Sequence, residues 1–121
     1  MKKTILIVED YKDVREMMKF LVCGYGYEVV EAENGLEAVE KAKHYHPDLI
    51  LMDMAMPIMD GLRATQIIRK SEANRKIPII AVTAFDKDFY HKAIEAGCDE
   101  VIAKPVDFNT FETFLNRYFE H

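Results

Sequence analysis

The stretch PDLILMDMAMPIMDGL, residues 47–62, decides the fold of this 121-residue chain. Its apolar run Leu49–Met52 contains no polar residue, which is typical of a parallel strand that other elements cover on both faces. Asp53 ends this run, and Asp60–Gly61 precedes a segment with helical spacing. The stretch therefore indicates a buried strand, a short loop and a helix, which is the repeating unit of an α/β sheet.

Outside this stretch, short apolar runs alternate with longer segments whose apolar residues recur at helical spacing. Near the N-terminus, Val14, Met17, Met18 and Leu21 follow the i, i+3, i+4, i+7 pattern of a helix. Five strands alternating with five helices predict one doubly wound α/β domain over residues 1–121, with a parallel sheet and right-handed crossovers. The predicted strands are Thr4–Val8, Glu28–Ala32, Leu49–Met52, Ile77–Val82 and Val101–Ala103.

Residues that begin or end helices stand between these segments, which supports the predicted order. The polar segment Ser71–Lys76 is predicted to be a loop. In chain order, the residues at predicted helix ends are Gly24, Gly26, Asn34–Gly35, Pro47, Asp60–Gly61, Gly97 and Asp107.

Composition and charge exclude several classes of protein. The chain has 16 basic and 21 acidic residues, a net charge of −5, which argues against a nucleic-acid binder with a broad basic face. Cys23 and Cys98 are far apart and show no metal-binding spacing, so we expect reduced thiols. The run Ile5–Val8 is too short for a signal peptide, and no apolar run could span a membrane. We therefore expect a cytoplasmic protein without direct membrane contact.

The candidate site residues stand at the ends of the first, third, fourth and fifth predicted strands, and the carboxyl ends of such strands are where α/β sheets bind ligands. Three carboxylates at one edge of a sheet repel one another unless a cation lies between them. Mg²⁺ prefers oxygen ligands and commonly uses one or two carboxylates, so Asp10 and Asp53 are predicted as direct ligands, with Glu9 acting through a bound water. The strand-end residues are Glu9–Asp10, Asp53, Thr83 and Lys104–Pro105.

A metal ion, an ammonium group and a hydroxyl group are what a transferring phosphoryl group needs. A carboxylate can itself be the nucleophile and form an aspartyl phosphate. We therefore predict that Asp53 attacks phosphorus, that Lys104 binds the phosphoryl oxygens, and that Thr83 hydrogen-bonds one of them afterwards. Each residue alone has an ordinary structural explanation, as a cap, a turn or a surface residue. Their joint position at successive strand ends carries the prediction.

These motifs resemble the receiver domains of response regulators, such as the chemotaxis and sporulation regulators, over nearly the whole chain. The resemblance implies a flavodoxin-like sheet with strand order 2-1-3-4-5, Asp53 as phosphoacceptor, and Mg²⁺ bound by Asp10, Asp53 and the backbone carbonyl of Ala55. It also implies a cis peptide bond between Lys104 and Pro105. The matching segments are ILIVED, GYEVVEAENGLEA, PDLILMDMAMPIMDGL, IPIIAVTA and Lys104–Pro105.

The same resemblance implies a role in two-component signalling. The phosphoryl group would come from a histidine kinase or a histidine phosphotransfer domain, and the phosphorylated form would bind a downstream protein target. The protein would catalyse only its own phosphorylation and dephosphorylation. The chain ends after the fifth helix, which leaves a stand-alone receiver or one cut from a larger protein, and the start at Met1 favours the former.

Three positions depart from the common family pattern. Val101 stands where the family usually has the switch aromatic, three residues before the lysine, and it has few rotamers and no hydroxyl group. Ala55 and Phe85 flank the path of the hydrolytic water in the family, and neither side chain can hydrogen-bond that water. We therefore expect slow loss of the phosphoryl group.

Docking surfaces are expected on helix 1 and on the face formed by helix 4, strand 5 and helix 5. Helix 4 carries Phe89, Tyr90 and His91, and one or two of the aromatic residues of helix 5 are expected to be exposed. His44, His46 and His91 lack metal-ligand spacing and are expected at the surface. The aromatic residues predicted on or near helix 5 are Phe108, Phe111, Phe114, Tyr118 and Phe119.

Three other functions remain open at this point. A phosphatase of the haloacid dehalogenase type would want an acid two residues after the nucleophile, where Ala55 stands. A flavin- or nucleotide-binding module would want a glycine-rich loop after the first strand, which is missing from the sequence. A pseudo-receiver would keep the fold but work without phosphorylation, and the complete set of acids, threonine and lysine argues against it.

Overall fold

The strands and helices of the computed structural model, which describes residues 2–56, 58–83 and 87–119, alternate along the chain as predicted. The strands are β1 (Thr4–Val8), β2 (Glu28–Ala32), β3 (Leu49–Asp53), β4 (Ile79–Thr83) and β5 (Glu100–Ala103). The helices are α1 (Lys12–Gly24), α2 (Gly35–Tyr45), α3 (Gly61–Lys70), α4 (Lys87–Ala96) and α5 (Phe108–Arg117).

The five strands form one parallel sheet in the order β2-β1-β3-β4-β5. This confirms the predicted fold class and strand order. Strands β3 and β4 each end one residue later than predicted, so that Asp53 and Thr83 lie within the sheet. Strand β4 begins at Ile79 rather than at Ile77, and β5 begins at Glu100 rather than at Val101. The segment predicted as a loop, Ser71–Lys76, contains a short 3₁₀ helix at Glu72–Asn74.

Both faces of the sheet are covered because successive strand side chains point to opposite sides. Leu6, Val8, Ile50 and Met52 pack with residues of α2, α3 and α4. Their neighbours along the chain, among them Ile5, Ile7, Leu49 and Leu51, pack with residues of α1 and α5. Every residue of β3 is buried, which confirms the interpretation of the run Leu49–Met52 as a strand covered on both faces.

The predicted helix ends are confirmed where the sequence named them. The side chains of Asn34, Asp60 and Asp107 each accept a hydrogen bond from a backbone N–H in the first turn of α2, α3 and α5. Such N-caps satisfy donors that a helix cannot satisfy by itself. Gly97 follows α4 with a φ of 118°, a left-handed conformation in which glycine carries no steric cost.

Four aromatic residues on or near the C-terminal helix are buried or half-buried. Phe111 is buried, and Phe114, Tyr118 and Phe119 are half-buried, while the side chain of Phe108 lies outside the described part of the structure. None of these four side chains is fully exposed, because Tyr25 and Tyr27, which follow α1, add rings to this cluster and contact Phe111 and Phe119. Since the Phe108 side chain is not described, the expectation that one or two rings are exposed stays a prediction.

Several predictions about single surface residues are confirmed. His44, His46 and His91 are exposed, Cys23 and Cys98 are free thiols, and Tyr90 of α4 is exposed. Among the described residues, no helix has both the length and the apolar character needed to cross a membrane.

Candidate functional site

Three carboxylates meet at the carboxyl edge of the sheet. Glu9 and Asp10 follow β1, and Asp53 ends the neighbouring strand β3, which pairs with β1 through Val8 and Met52. One oxygen of each carboxylate lies within 4.8 Å of the others. Glu9 and Asp53 are 1% and 5% exposed, so the cluster is largely withdrawn from water. The structure therefore brings the predicted acids together.

The Glu9 carboxylate is bound by protein groups at both oxygens. Lys104 Nζ donates to Oε1 at 3.0 Å, and the backbone N–H of Tyr11 donates to Oε2 at 3.2 Å. Glu9 thus anchors the lysine at the site.

Asp53 and Asp10 are held differently from Glu9. Asp53 Oδ1 accepts a hydrogen bond from the Ala55 N–H at 3.2 Å, and its Oδ2 lies 3.5 Å from Lys104 Nζ. Asp10 Oδ1 is buried and has no hydrogen-bond partner within the described parts of the chain. A buried, unpartnered carboxylate oxygen is costly unless a cation or water binds it. The donor set at this edge, all oxygen and rich in negative charge, fits a hard divalent cation such as Mg²⁺.

Lys104 lies where it can neutralise two of the acids. Burial lowers the pKa of Lys104, but the hydrogen bond with Glu9 and the charges of Asp53 and Glu9 outweigh that effect, and the net pKa is raised. The ammonium group therefore stays charged at neutral pH. The bond between Lys104 and Pro105 is cis, as predicted.

Thr83 is coupled to the lysine through the backbone. Thr83 ends β4 and is 7% exposed, and its carbonyl oxygen accepts a hydrogen bond from the Lys104 N–H at 2.8 Å.

Val101 lies in β5, two positions before Ala103, and is half-buried beside Ala81. It packs against the core that α2, α3 and α4 cover.

Other parts of the predicted site are placed less completely. Ala55 is exposed two residues after Asp53, and the predicted role of its carbonyl as a metal ligand stays a prediction. Phe85 lies outside the described residues.

Two residues that support the site were missed in this role by the sequence analysis. Gly61 lets α3 begin directly against the end of β3, because a Cβ atom there would lie 2.5 Å from the Asp53 carbonyl oxygen. Arg15 is 8% exposed and donates a hydrogen bond to the Glu9 carbonyl oxygen at 2.9 Å. The sequence did mark Gly61 as the start of a helix. Nothing in the sequence distinguishes Arg15 from an ordinary charged residue of a helix.

The geometry of this edge agrees with a comparison with known families. Residues 5–116 match the model of the response regulator receiver domain. The chain belongs to the response regulator receiver domain family. This receiver domain is therefore a component of two-component signal transduction.

Individual relatives of this receiver domain support the assignment. It is 38% identical over 119 residues to the polar-differentiation response regulator DivK of Brucella ovis, covering 98% of this chain and 97% of that protein. A crystal structure of a response regulator from Chloroflexus aurantiacus superimposes with a TM-score of 0.92 at 29% identity, covering 98% of each chain.

A second solved structure bears on the acidic cluster. The receiver domain of a sensor histidine kinase from Pseudomonas aeruginosa is 33% identical and superimposes with a TM-score of 0.89, again covering 98% of each chain. That protein was crystallised with a magnesium ion coordinated in its active-site cleft.

Proposed function

We propose that this receiver domain accepts a phosphoryl group on Asp53, in a Mg²⁺-dependent reaction, from a histidine kinase or a histidine phosphotransfer domain in the cytoplasm. The proposal takes residues 1–121 as one signalling domain. The observation that carries it is the position of Asp53. This carboxylate ends a buried strand between a charged lysine at 3.5 Å and a neighbouring acid, Asp10, with an unpartnered buried oxygen.

The reaction needs little covalent chemistry from the protein. A carboxylate oxygen of Asp53 forms a bond to phosphorus while the bond from phosphorus to the donor histidine nitrogen breaks, and that nitrogen keeps the electron pair. Mg²⁺ bound by Asp10, Asp53 and the Ala55 carbonyl, with Glu9 acting through water, would neutralise charge on the phosphoryl oxygens. The protein contributes mainly position and charge.

Lys104 and Thr83 have separate tasks in this proposal. The Lys104 ammonium, charged because its pKa is raised, binds a phosphoryl oxygen on the side of Asp53 that it already faces. The Thr83 hydroxyl then hydrogen-bonds another phosphoryl oxygen. Because the Thr83 carbonyl is bonded to the Lys104 N–H, movement at either residue is passed to the start of the loop that follows β5.

The output is proposed to be binding of a downstream protein target by the phosphorylated form. Val101 has no ring that could turn inward, so displacement of Thr83 and of the chain after it would carry the signal. Ala55 offers only a methyl group toward a hydrolytic water, which supports the expectation that the phosphoryl group is lost slowly.

The decisive test is labelling by acetyl phosphate, measured by intact-protein mass, with and without Mg²⁺. The wild type is expected to gain one phosphoryl group only with Mg²⁺, and Asp53→Asn is expected to gain none. Asp13→Asn removes an exposed acid of α1 and is the matched control, expected to label like the wild type. Full labelling of Asp53→Asn would overturn the assignment, and multiple turnover of a small phosphate ester would favour a phosphatase.

A further inference from the structure

A buried arginine binds the backbone next to the acidic cluster. Arg15 belongs to the first turn of α1, yet only 8% of it is exposed. Its side chain folds back to the end of β1, where Nη1 donates to the Glu9 carbonyl oxygen at 2.9 Å. Both groups of this hydrogen bond are buried. Arg15 therefore contacts the backbone of the acidic cluster without being part of it.

The guanidinium is held in place by two acids from the edge of the sheet. Its Nε lies 3.4 Å from Oε1 of Glu31 in β2, and its Nη2 lies 3.4 Å from Oε1 of Glu33. A planar group with donors pointing in fixed directions can serve all three acceptors at once. Lys19 also pairs with Glu31, at 3.2 Å, but its side chain is 48% exposed.

This placement has a cost that packing alone does not explain. A cation in the first turn of a helix lies at the positive end of the helix dipole, which is unfavourable. Burial of a guanidinium adds a desolvation penalty that its ion pairs must offset. The presence of an arginine there despite both effects indicates that its hydrogen bond to the Glu9 carbonyl has a use.

That use follows from peptide geometry. The Glu9 carbonyl and the Asp10 N–H belong to one planar peptide group. Arg15 fixes the carbonyl of that group. The N–H of Glu9, in the preceding peptide group, donates to the Ala32 carbonyl oxygen at 3.1 Å. The backbone from which both carboxylates project is therefore fixed on each side of Glu9.

We propose that Arg15 is a positioning residue for the magnesium site, which orients the Glu9–Asp10 peptide and thereby presents the Asp10 carboxylate to the metal. This inference rests on the proposed function, because it requires Mg²⁺ to bind at Asp10 and Asp53. In this proposal Arg15 acts through the backbone and would bind neither the metal nor the phosphoryl group directly.

The sign of the effect separates positioning from simple electrostatics. Loss of a nearby positive charge would by itself strengthen the binding of a cation. Loss of orientation weakens it, and residues that orient metal ligands commonly contribute about 10-fold or more in affinity. Arg15→Lys keeps the charge but loses the planar fork, so it isolates the orientation effect.

Calorimetric titration with Mg²⁺ alone tests the proposal, at a temperature well below the melting temperature of each variant. Arg15→Lys is expected to bind Mg²⁺ about 10-fold more weakly than the wild type. Lys19→Met, which also loses a cation paired with Glu31 but does not contact Glu9, is expected to bind at least as tightly as the wild type. Unchanged affinity in Arg15→Lys with a lowered melting temperature would show a purely structural role and overturn the proposal.

A second variant covers the case in which Arg15→Lys does not fold. Glu33→Gln keeps Arg15 but removes one of the two acids that hold its guanidinium group. This variant is expected to bind Mg²⁺ about 2-fold more weakly than the wild type. An affinity equal to that of the wild type would contradict the proposal. The two levels of failure remain distinguishable. If the wild type binds Mg²⁺ and is labelled on Asp53 while Arg15→Lys binds equally well, only the role of Arg15 fails. If the wild type binds no Mg²⁺, the proposed function fails and this inference fails with it.

Discussion

The Nζ atom of Lys104 lies 3.0 Å from Oε1 of Glu9, although 95 positions separate the two residues in the chain. Strands β3 and β4 lie between β1 and β5 in the sheet, so the lysine side chain reaches across the carboxyl edge to its partner. On the way it passes within 3.5 Å of Asp53. One cation thus compensates two buried acids that fold from distant parts of the sequence.

This arrangement predicts a specific loss of stability at alkaline pH. Although burial lowers the pKa of Lys104, its hydrogen bond with Glu9 and the charge of Asp53 raise it above the ordinary value of 10.5. The stabilisation from the lysine is therefore complete below about pH 10.5 and is lost as the pH rises through the folded-state pKa. Because 35% of the side chain is exposed, solvent screening limits this contribution to roughly 0.5–1 kcal/mol.

The measurement is the free energy of unfolding against pH for the wild type and Lys104→Met. Burial also raises the pKa values of Tyr25, Tyr27 and Tyr118, so every variant loses some stability above pH 10. The prediction concerns the difference between the two curves, which is expected to shrink at high pH. Parallel curves up to pH 12 would show that the ion pair contributes nothing.

A second prediction concerns the crowding of the acids. In the absence of Mg²⁺, Asp53→Asn is expected to raise the free energy of unfolding by about 1–2 kcal/mol. The substitution removes repulsion from two acids within 4.8 Å and loses attraction to one cation at 3.5 Å, while the amide oxygen can still accept from the Ala55 N–H.

Urea denaturation with and without Mg²⁺ measures both parts of this prediction. Mg²⁺ is expected to stabilise the wild type through mass action and to have little effect on Asp53→Asn. Asp13→Asn, at an exposed position, serves as the control and is expected to change stability by less than about 0.5 kcal/mol. Lower stability of Asp53→Asn without Mg²⁺ would mean that its attraction to Lys104 outweighs the repulsion.

The fold and the membership of the site could be predicted from sequence because both depend on local patterns. Continuous apolar runs identified the buried strands, and a parallel sheet necessarily gathers its strand ends at one edge. Asp53 and Thr83 could be located by counting from the ends of those runs. Their side-chain partners could not be located in this way.

Contacts between side chains depended on packing that no local pattern encodes. The pairing of Lys104 with Glu9 and the hydrogen bond from Arg15 to the Glu9 carbonyl join residues from different elements. The aromatic residues of α5 show the same limit. Helical spacing placed more aromatic rings on the helix than one buried face can hold. Tyr25 and Tyr27, from outside the helix, contact the rings of Phe111 and Phe119 and so reduce their exposure.

The two cysteines are predicted to differ strongly in reactivity. Cys98 is buried, and burial raises the pKa of its thiol more than the Thr65 hydrogen bond and the Arg69 charge lower it. Cys23 is exposed on α1. Because the thiolate is the reactive form, iodoacetamide at pH 8 is expected to modify Cys23 at least about 100-fold faster than Cys98.

Peptide mass spectrometry after timed alkylation gives the two rates. In denaturant, where both thiols are accessible, the rates are expected to become similar. Comparable rates in the folded protein would contradict the burial of Cys98.

The close approach of α3 to the end of β3 gives the last prediction. A Cβ atom at Gly61 would lie 2.5 Å from the Asp53 carbonyl oxygen and 2.9 Å from the Met54 Cα atom. These are backbone atoms, which cannot rotate away as a side chain can, so α3 or the end of β3 must shift. Gly61→Ala is therefore expected to lower the free energy of unfolding by about 1–3 kcal/mol.

Gly24→Ala is the matched control for this substitution. Gly24 is the last residue of α1, and a Cβ atom there would have no neighbour within 4 Å among the described residues. Alanine removes conformational freedom from the unfolded chain, so Gly24→Ala is expected to be neutral or to stabilise the domain by up to about 1 kcal/mol. Urea denaturation measures both variants, and acetyl phosphate labelling measures whether displacement of the Asp53 backbone slows phosphorylation. Equal stability of Gly61→Ala and the wild type would mean that α3 does not press against Asp53 in solution.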